Sequence, residues 1–452
     1  MSAPASAPPG PRHAPLELLA QHPLRAIVAL AAPTTAVMLM AAISNVLHTY
    51  FVSRLGDDAI AAVSLVFPIA LIMMTVISGG IGAGVASGIA RALGAGRAAD
   101  ACGVAEHALA ITTLLSIAGT IATELGGTAL FRAMGGRGVV LEQATTFARV
   151  LFGGMLITFT VGTFDSILRG TGNVRIPALC STLSLLLQIA FTPLFMFVAG
   201  LGLVGAPLAT LTGQFVGLMP RLVYVFGGRA AFHPRYFPRR LSRTHLREIL
   251  RVGVPASLSA GLNYLALIIL TGTVARYGNH YLAAYGLGTR LDFLLFTLGF
   301  GVAAAALTLV SMATGAGRHD LAARYVVQSA LVVAGVVAIP AVLVTWRPSL
   351  WLGLFTSAAD IEAVGSSYFH FVGPSYVFVV TSMVVASAFQ GLGRATVPLT
   401  VMVVRVVLVV AAALAATRFF GLQADTVFAV IAAGNVCACL ALVALFRAAF
   451  RR

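Results

Sequence analysis

The chain has 452 residues, 59% of them hydrophobic and 10% charged, which is more apolar surface than a soluble core of that length buries. Its 29 basic residues are all arginine and give a formal net charge of +15. They are dispersed along the chain rather than gathered in long basic runs, which excludes a nucleic-acid-binding protein and points to membrane topology.

Residues 1–23 open Met-Ser-Ala-Pro-Ala-Ser-Ala-Pro-Pro-Gly, with no basic stretch ahead of an apolar one. They read as a disordered cytoplasmic tail rather than a signal peptide. Apolar segments of about 20 residues or more, enough to cross a hydrocarbon core of roughly 30 Å, then follow at 24–52, 59–90, 103–125, 145–168, 174–199, 203–226, 248–275, 281–313, 323–346, 364–389, 397–417 and 424–446. Twenty arginines, among them eight between Arg221 and Arg251, fall on one side of these spans and six on the other. The positive-inside bias predicts a multi-pass protein of the cell (inner) membrane with both termini cytoplasmic.

The chain repeats itself. Leu30-Ala-Ala-Pro33 returns as Val252-Gly-Val-Pro255, and Val52-Ser-Arg-Leu-Gly56 as Val274-Ala-Arg-Tyr-Gly278, both at an offset of 222. Gly94-Ala-Gly-Arg97 returns as Gly315-Ala-Gly-Arg318, and Leu168-Arg-Gly-Thr-Gly172 as Phe389-Gln-Gly-Leu-Gly393, both at 221. Ordered landmarks at a nearly constant spacing argue for duplication. Six spans per copy is even, so both copies enter from the same face, as parallel repeats related by an axis along the membrane normal. The expected fold is an all-α integral membrane protein with twelve transmembrane helices in two pseudo-symmetric six-helix bundles. Its expected units are an N-terminal bundle at 24–227, a basic cytoplasmic linker at 228–246 and a C-terminal bundle at 247–448.

At these landmarks the chain resembles the multidrug and toxic compound extrusion (MATE) family, DinF-like branch, within the multidrug/oligosaccharidyl-lipid/polysaccharide flippase superfamily. The residues that carry the resemblance are Pro33, Val52-Ser-Arg-Leu-Gly56, Gly94-Ala-Gly96 and Arg169-Gly-Thr-Gly172 with Pro177, together with their second-half counterparts. It implies a V-shaped pair of bundles that exports amphipathic or cationic organic compounds against an influx of protons or sodium. It also implies no cofactor beyond that transmembrane gradient.

Ionisable residues inside spans are costly and are functional candidates by default. His48 stands where the resembling pattern carries an acidic residue, and Asn45 shares its helical face. A histidine there takes up and releases protons near neutral pH and is a poor sodium ligand, so a proton is favoured over sodium; a structural histidine bonded between helices is the other reading. Asp165 and Asp292 complete the ion-coupling candidates. Asp165 is expected to pair with Arg169 at i,i+4, and Arg290 and Asp292 to act between the bundles. Phe51, Gln188, Gln214, Asn263, Tyr264 and Arg290 are the substrate-cavity candidates, Asn263 standing where one branch of the resembling family carries a glutamate. Gln214 and Asn435 hold equivalent places in the two copies and suit helix-to-helix hydrogen bonds. Glu106 and His107 are expected to be solvated.

The sequence thus predicts a cation-coupled antiporter working by alternating access, with small amphipathic molecules and membrane lipids as its partners, no nucleic acid, and a monomeric state. The alternative is a flippase for a lipid or lipid-linked saccharide, which calls for cavity arginines to hold phosphate; only Arg149, Arg290 and Arg405 are placed in spans. No metal spacing or catalytic constellation speaks for an enzyme.

Overall fold

The structure, a computed structural model, describes residues 21–418 and 423–450. Most of the expected tail at 1–23 lies outside the described residues. The helices are α1 (Pro23–Ser53), α2 (Asp57–Gly94), α3 (Ala98–Ala133), α4 (Gly138–Gly153 and Met155–Gly170, bent by 47°), α5 (Arg175–Val198), α6 (Gly202–Phe226), α7 (Arg243–Tyr277), α8 (Asn279–Gly315), α9 (His319–Trp346), α10 (Ala359–Gly391), α11 (Thr396–Arg418) and α12 (Ala424–Phe450). Among the described residues eleven of these are long and apolar enough to cross a bilayer, and the bent α4 makes a twelfth span. Each overlaps one expected segment; α3 and α4 run up to eight residues beyond it, and α5 falls within it.

Local sequence explains the boundaries. Asp57, Asp58, Asp100, Asp320, Asp360, Glu362 and Asp425 sit in first turns, where a carboxylate meets the positive end of the helix dipole. Gly96 and Gly317 close the turns after α2 and α8 at φ +72° and +73°, a conformation that disfavours a side chain. The outer faces stay apolar: Leu331, Ile339 and Val342 on α9 are 67%, 66% and 61% exposed, as expected of side chains whose solvent is lipid.

Two cores form, one per copy. One gathers Val85, Leu109, Phe131, Phe147 and Phe164 from α2–α4, and the other Leu309, Tyr325, Phe369, Phe389 and Phe428 from α8–α12. The halves interpenetrate: Ile27 and Leu30 of α1 and Val174 just before α5 join the second core, Ile249 of α7 joins the first, and Ala83 and Ala86 of α2 form a small third cluster with Leu307 of α8.

Contact between the halves extends from the ends near the linker to the middle of α1, α2, α7 and α8, where Gly80 lies against Ser257 and Gly301 against Thr35. A Cβ on Gly94 would overlap the carbonyl oxygen of Met312, and one on Gly315 would overlap that of Arg91. Among the described residues, the hydrogen bonds between halves run from Arg91 to the Glu248 carboxylate (3.2 Å) and the Gly391 and Gln390 carbonyls (2.9 and 3.3 Å), from Ser257 to the Val76 carbonyl (3.4 Å), and from Thr308 to the Arg169 carbonyl (3.3 Å). The outer lengths of α1, α7 and α8 contribute none of them.

The linker is packed down on α3. Ser242 donates its backbone N–H to His107 Nε2 (2.8 Å), so Nδ1 carries the ring proton and donates to the Gly103 carbonyl (2.7 Å), while Glu106 accepts the Arg235 N–H (3.0 Å). His107 is therefore buried, not solvated as expected, because the linker covers the α3 surface that hydropathy left open.

Candidate functional site

A cavity opens within the first half, walled by α1, α2, α4, α5 and α6. Its shape follows from α4. The break at Gly154 tips the Met155–Gly170 segment by 47°, and Thr158, Gly162, Asp165 and Arg169 then stack on one face at helical spacing. Opposite them α1 presents Thr34, Val37, Met38 and Ala41, and α5 presents Ser181, Ser184 and Gln188. The wall at α2 belongs to a π-helical stretch, Thr75–Ile81, a local widening that recurs at functional positions in helices.

The polar floor is a buried ion pair. Arg221 of α6, 0% exposed, donates through Nε to Asp165 Oδ1 at 2.7 Å and through Nη2 to Oδ2 at 3.3 Å. Its remaining donors go to the Ser181 hydroxyl (2.6 Å) and the carbonyls of Gly217 (2.7 Å) and Pro177 (3.4 Å). Such saturation is what makes a charge tolerable at this depth. Close packing of α5 on α6 permits it, because a Cβ on Gly217 would collide with the Ser184 hydroxyl. Arg169 lies four residues from Asp165 but forms no ion pair with it; its Nη2 donates to the Ser166 hydroxyl at 3.1 Å, and its other N–H groups have no acceptor among the described residues. The expected Asp165–Arg169 pair is thus replaced by Asp165–Arg221.

Asp165, Gln188 and Gln214 meet in this cavity, and Gln214 Oε1 accepts the Thr158 hydroxyl at 2.6 Å. Asn435 makes the matching bond in the second copy, donating to Ser375 of α10 at 3.0 Å. Asn45 lies about one turn and His48 about two turns beyond Ala41 on the stripe of α1 that lines the cavity; His48 is half-buried and Asn45 exposed. Phe51, farther along, rests edge-on against Phe197 with centroids 6.5 Å apart.

The remaining candidates belong to the second half. Asp292 accepts the Tyr368 hydroxyl (2.8 Å) and the Tyr376 hydroxyl (2.6 Å), both from α10, so it binds within its own bundle and not between bundles as expected. Arg290 sits over the Phe355 ring, 5.7 Å from its centroid, and likewise does not bridge the halves. Asn263 accepts from Arg405 at 3.5 Å, and Arg405 also donates to Asn435 at 2.5 Å. Tyr264 is half-buried on α7.

The residues missed are arginines. Arg221 falls inside the segment 203–226 yet was grouped with the linker, and its seven-residue spacing from Gln214 was the available signal. Arg91 and Arg169 lie in the last turns of α2 and α4, inside the helices rather than in the loops that follow. The arginine asymmetry across the membrane survives the removal of Arg221.

The MatE family model matches residues 33–194 and again 255–444, once in each copy. A solved MOP superfamily transporter from Pyrococcus furiosus, described as having a binding pocket of reverse polarity, superposes with a TM-score of 0.90 at 26% identity over 98% of this chain and 99% of its own. The FAD transporter of Shewanella oneidensis is 29% identical over 284 residues, 61% of either chain. The chain thus spans about three fifths of that relative's length in the match. A probable multidrug resistance protein NorM of Thermotoga maritima is 24% identical over 83% of this chain and 81% of its own. With the family's pattern present twice and in order along a twelve-helix membrane chain, this protein belongs to the MatE family.

Proposed function

We propose that the chain is an ion-coupled antiporter that exports amphipathic organic compounds by alternating access. The bundle at 24–227 would rock against the bundle at 247–448, with the linker at 228–246 and both termini on the cytoplasmic face. The observation that carries the proposal is the one-sided join: among the described residues the hydrogen bonds between halves run from the linker-side ends to mid-helix at Ser257 and Val76, and none joins the outer lengths of α1, α7 and α8. This is the arrangement of a carrier closed toward the linker side. Relatives named as multidrug resistance proteins and an FAD transporter support organic cargo.

Proton coupling through His48 follows from chemistry. Asp165 is committed to Arg221 and Asp292 to two tyrosines, whereas no charged group stands against His48 among the described residues. An unperturbed imidazole takes a proton near neutral pH and offers sodium no oxygen ligand. A DinF-like place within the family is part of this proposal and rests on the sequence resemblance.

The test is dye flux in proteoliposomes under an imposed proton gradient or an imposed sodium gradient, with rhodamine 6G and fluorescein as cargo. A proton gradient should drive efflux of at least one dye, and His48→Ala should abolish the response to that gradient. Flux with neither gradient would remove the antiporter reading, and sodium-driven flux indifferent to His48→Ala would remove the coupling role. The flippase reading gains from the cavity arginines Arg169 and Arg221, and scrambling of a fluorescent phospholipid in the same vesicles without dye flux would favour it.

A further inference from the structure

The charge of the cavity is not that of a site for cations. Across its five walls the charged side chains are Asp165 and Arg169 on α4 and Arg221 on α6; α1, α2 and α5 contribute none. Asp165 is fully engaged by Arg221, so the acid has no strength left for a positively charged cargo. Arg169 remains as a guanidinium that lines the cavity with one side-chain hydrogen bond among the described residues, to the Ser166 hydroxyl. A half-buried cation with unfilled donors in an apolar-walled cavity favours an acceptor, and the planar fork of a guanidinium matches the paired oxygens of a carboxylate or phosphate.

We infer that the cargo of this cavity is an amphipath bearing an anionic group, carboxylate or phosphate, held by Arg169, with its apolar part against Val37, Met38 and Phe159. The inference rests on the transport reading above and names the class of its substrate. It reverses the expectation of cationic compounds. Gln188 of α5 and Gln214 of α6, both uncharged and lining the same cavity, suit the polar remainder of such a molecule.

Fluorescein and rhodamine 6G share a xanthene ring system and carry opposite charge, which makes them a direct probe. Binding is read by fluorescence anisotropy with the full chain in phosphatidylcholine nanodiscs. Fluorescein should bind more tightly than rhodamine 6G. Arg169→Gln should weaken fluorescein by about tenfold or more, the effect of removing a charged hydrogen-bond donor, without weakening rhodamine 6G. Gln188→Glu keeps Arg169 and adds a negative charge, so it should weaken fluorescein and strengthen rhodamine 6G, and it decides the matter if the arginine variant fails to fold. Nanodiscs that also contain phosphatidylglycerol separate the two sources of the anion: displacement of fluorescein identifies a lipid phosphate as cargo, and unchanged binding identifies a soluble anion. Tighter binding of rhodamine 6G, fluorescein binding that ignores both substitutions, or no fluorescein binding overturns the inference. Rhodamine 6G flux without fluorescein binding leaves the antiporter standing and removes this inference alone, whereas fluorescein binding without gradient-driven flux does the reverse.

Discussion

Arg221 and Asp165 meet at 2.7 Å in the floor of the first-half cavity, with the arginine wholly inside the protein. Neither helix could bring its charge to this depth alone. The pair ties α4 to α6, and Ser181 adds α5 through a 2.6 Å bond. Removing one partner strands the other charge, at a cost of about 3–5 kcal/mol. Arg221→Gln and Asp165→Asn should each lower stability in reversible SDS unfolding by about that amount, and the double variant by less than their sum. Additive losses would show that the two side chains act independently.

Asp292 is a structural carboxylate on this geometry. Tyr368→Phe and Tyr376→Phe each delete one of its two donors, and each should cost about 1–3 kcal/mol in the same unfolding measurement. Neither should change which gradient drives dye flux. A switch of coupling ion in either variant would move Asp292 from scaffold to mechanism.

Arg91 carries a latch between halves, bonded at once to Glu248 on α7 and to the last carbonyls of α10. The pair is partly exposed, so its worth is roughly 1 kcal/mol. Glu248→Gln should shift the ratio of open to closed populations about fivefold. Nitroxide labels at Ala95 and Ala316, in the exposed turns after α2 and α8, report this as growth of a longer distance component in pulsed dipolar spectra of a background without native cysteines. An unchanged distance distribution would mean that the latch does not hold the halves.

Two glycines in α-helices should respond in opposite ways to alanine. Gly335 in α9 has no heavy atom within 4 Å of where its Cβ would be, so Gly335→Ala should be neutral or stabilise by up to about 1 kcal/mol. Gly94→Ala forces a methyl group into the Met312 carbonyl and should cost about 1–3 kcal/mol, with the halves displaced. Thermal unfolding of the two variants side by side tests the contrast.

The scaffold was legible because a membrane span needs a long apolar run and a duplicated chain keeps its turn glycines in register. Both signals are local. The bend in α4 was not legible: the pair Gly153-Gly154 sits within an unbroken apolar segment, and only packing reveals that the chain turns there. The same break aligns Asp165 and Arg169 with the cavity. Sequence spacing favoured the i,i+4 pair of Asp165 with Arg169, but a helix neighbour cannot compete with Arg221, whose guanidinium reaches both carboxylate oxygens from the facing helix. Asp292 was recognisable as costly, yet its tyrosine partners stand 76 and 84 residues away, and no periodicity links them. Gln188 and Gln214 were recoverable because an amide in an apolar run is conspicuous.

Gly94 and Gly315 occupy the same place in the two copies, and each seats on the carbonyl three residues before the other. The contact is therefore a handshake: one surface meeting its own duplicate across an axis. For the halves to part at the linker side both seats would have to open, so a defect introduced on either helix is felt on both.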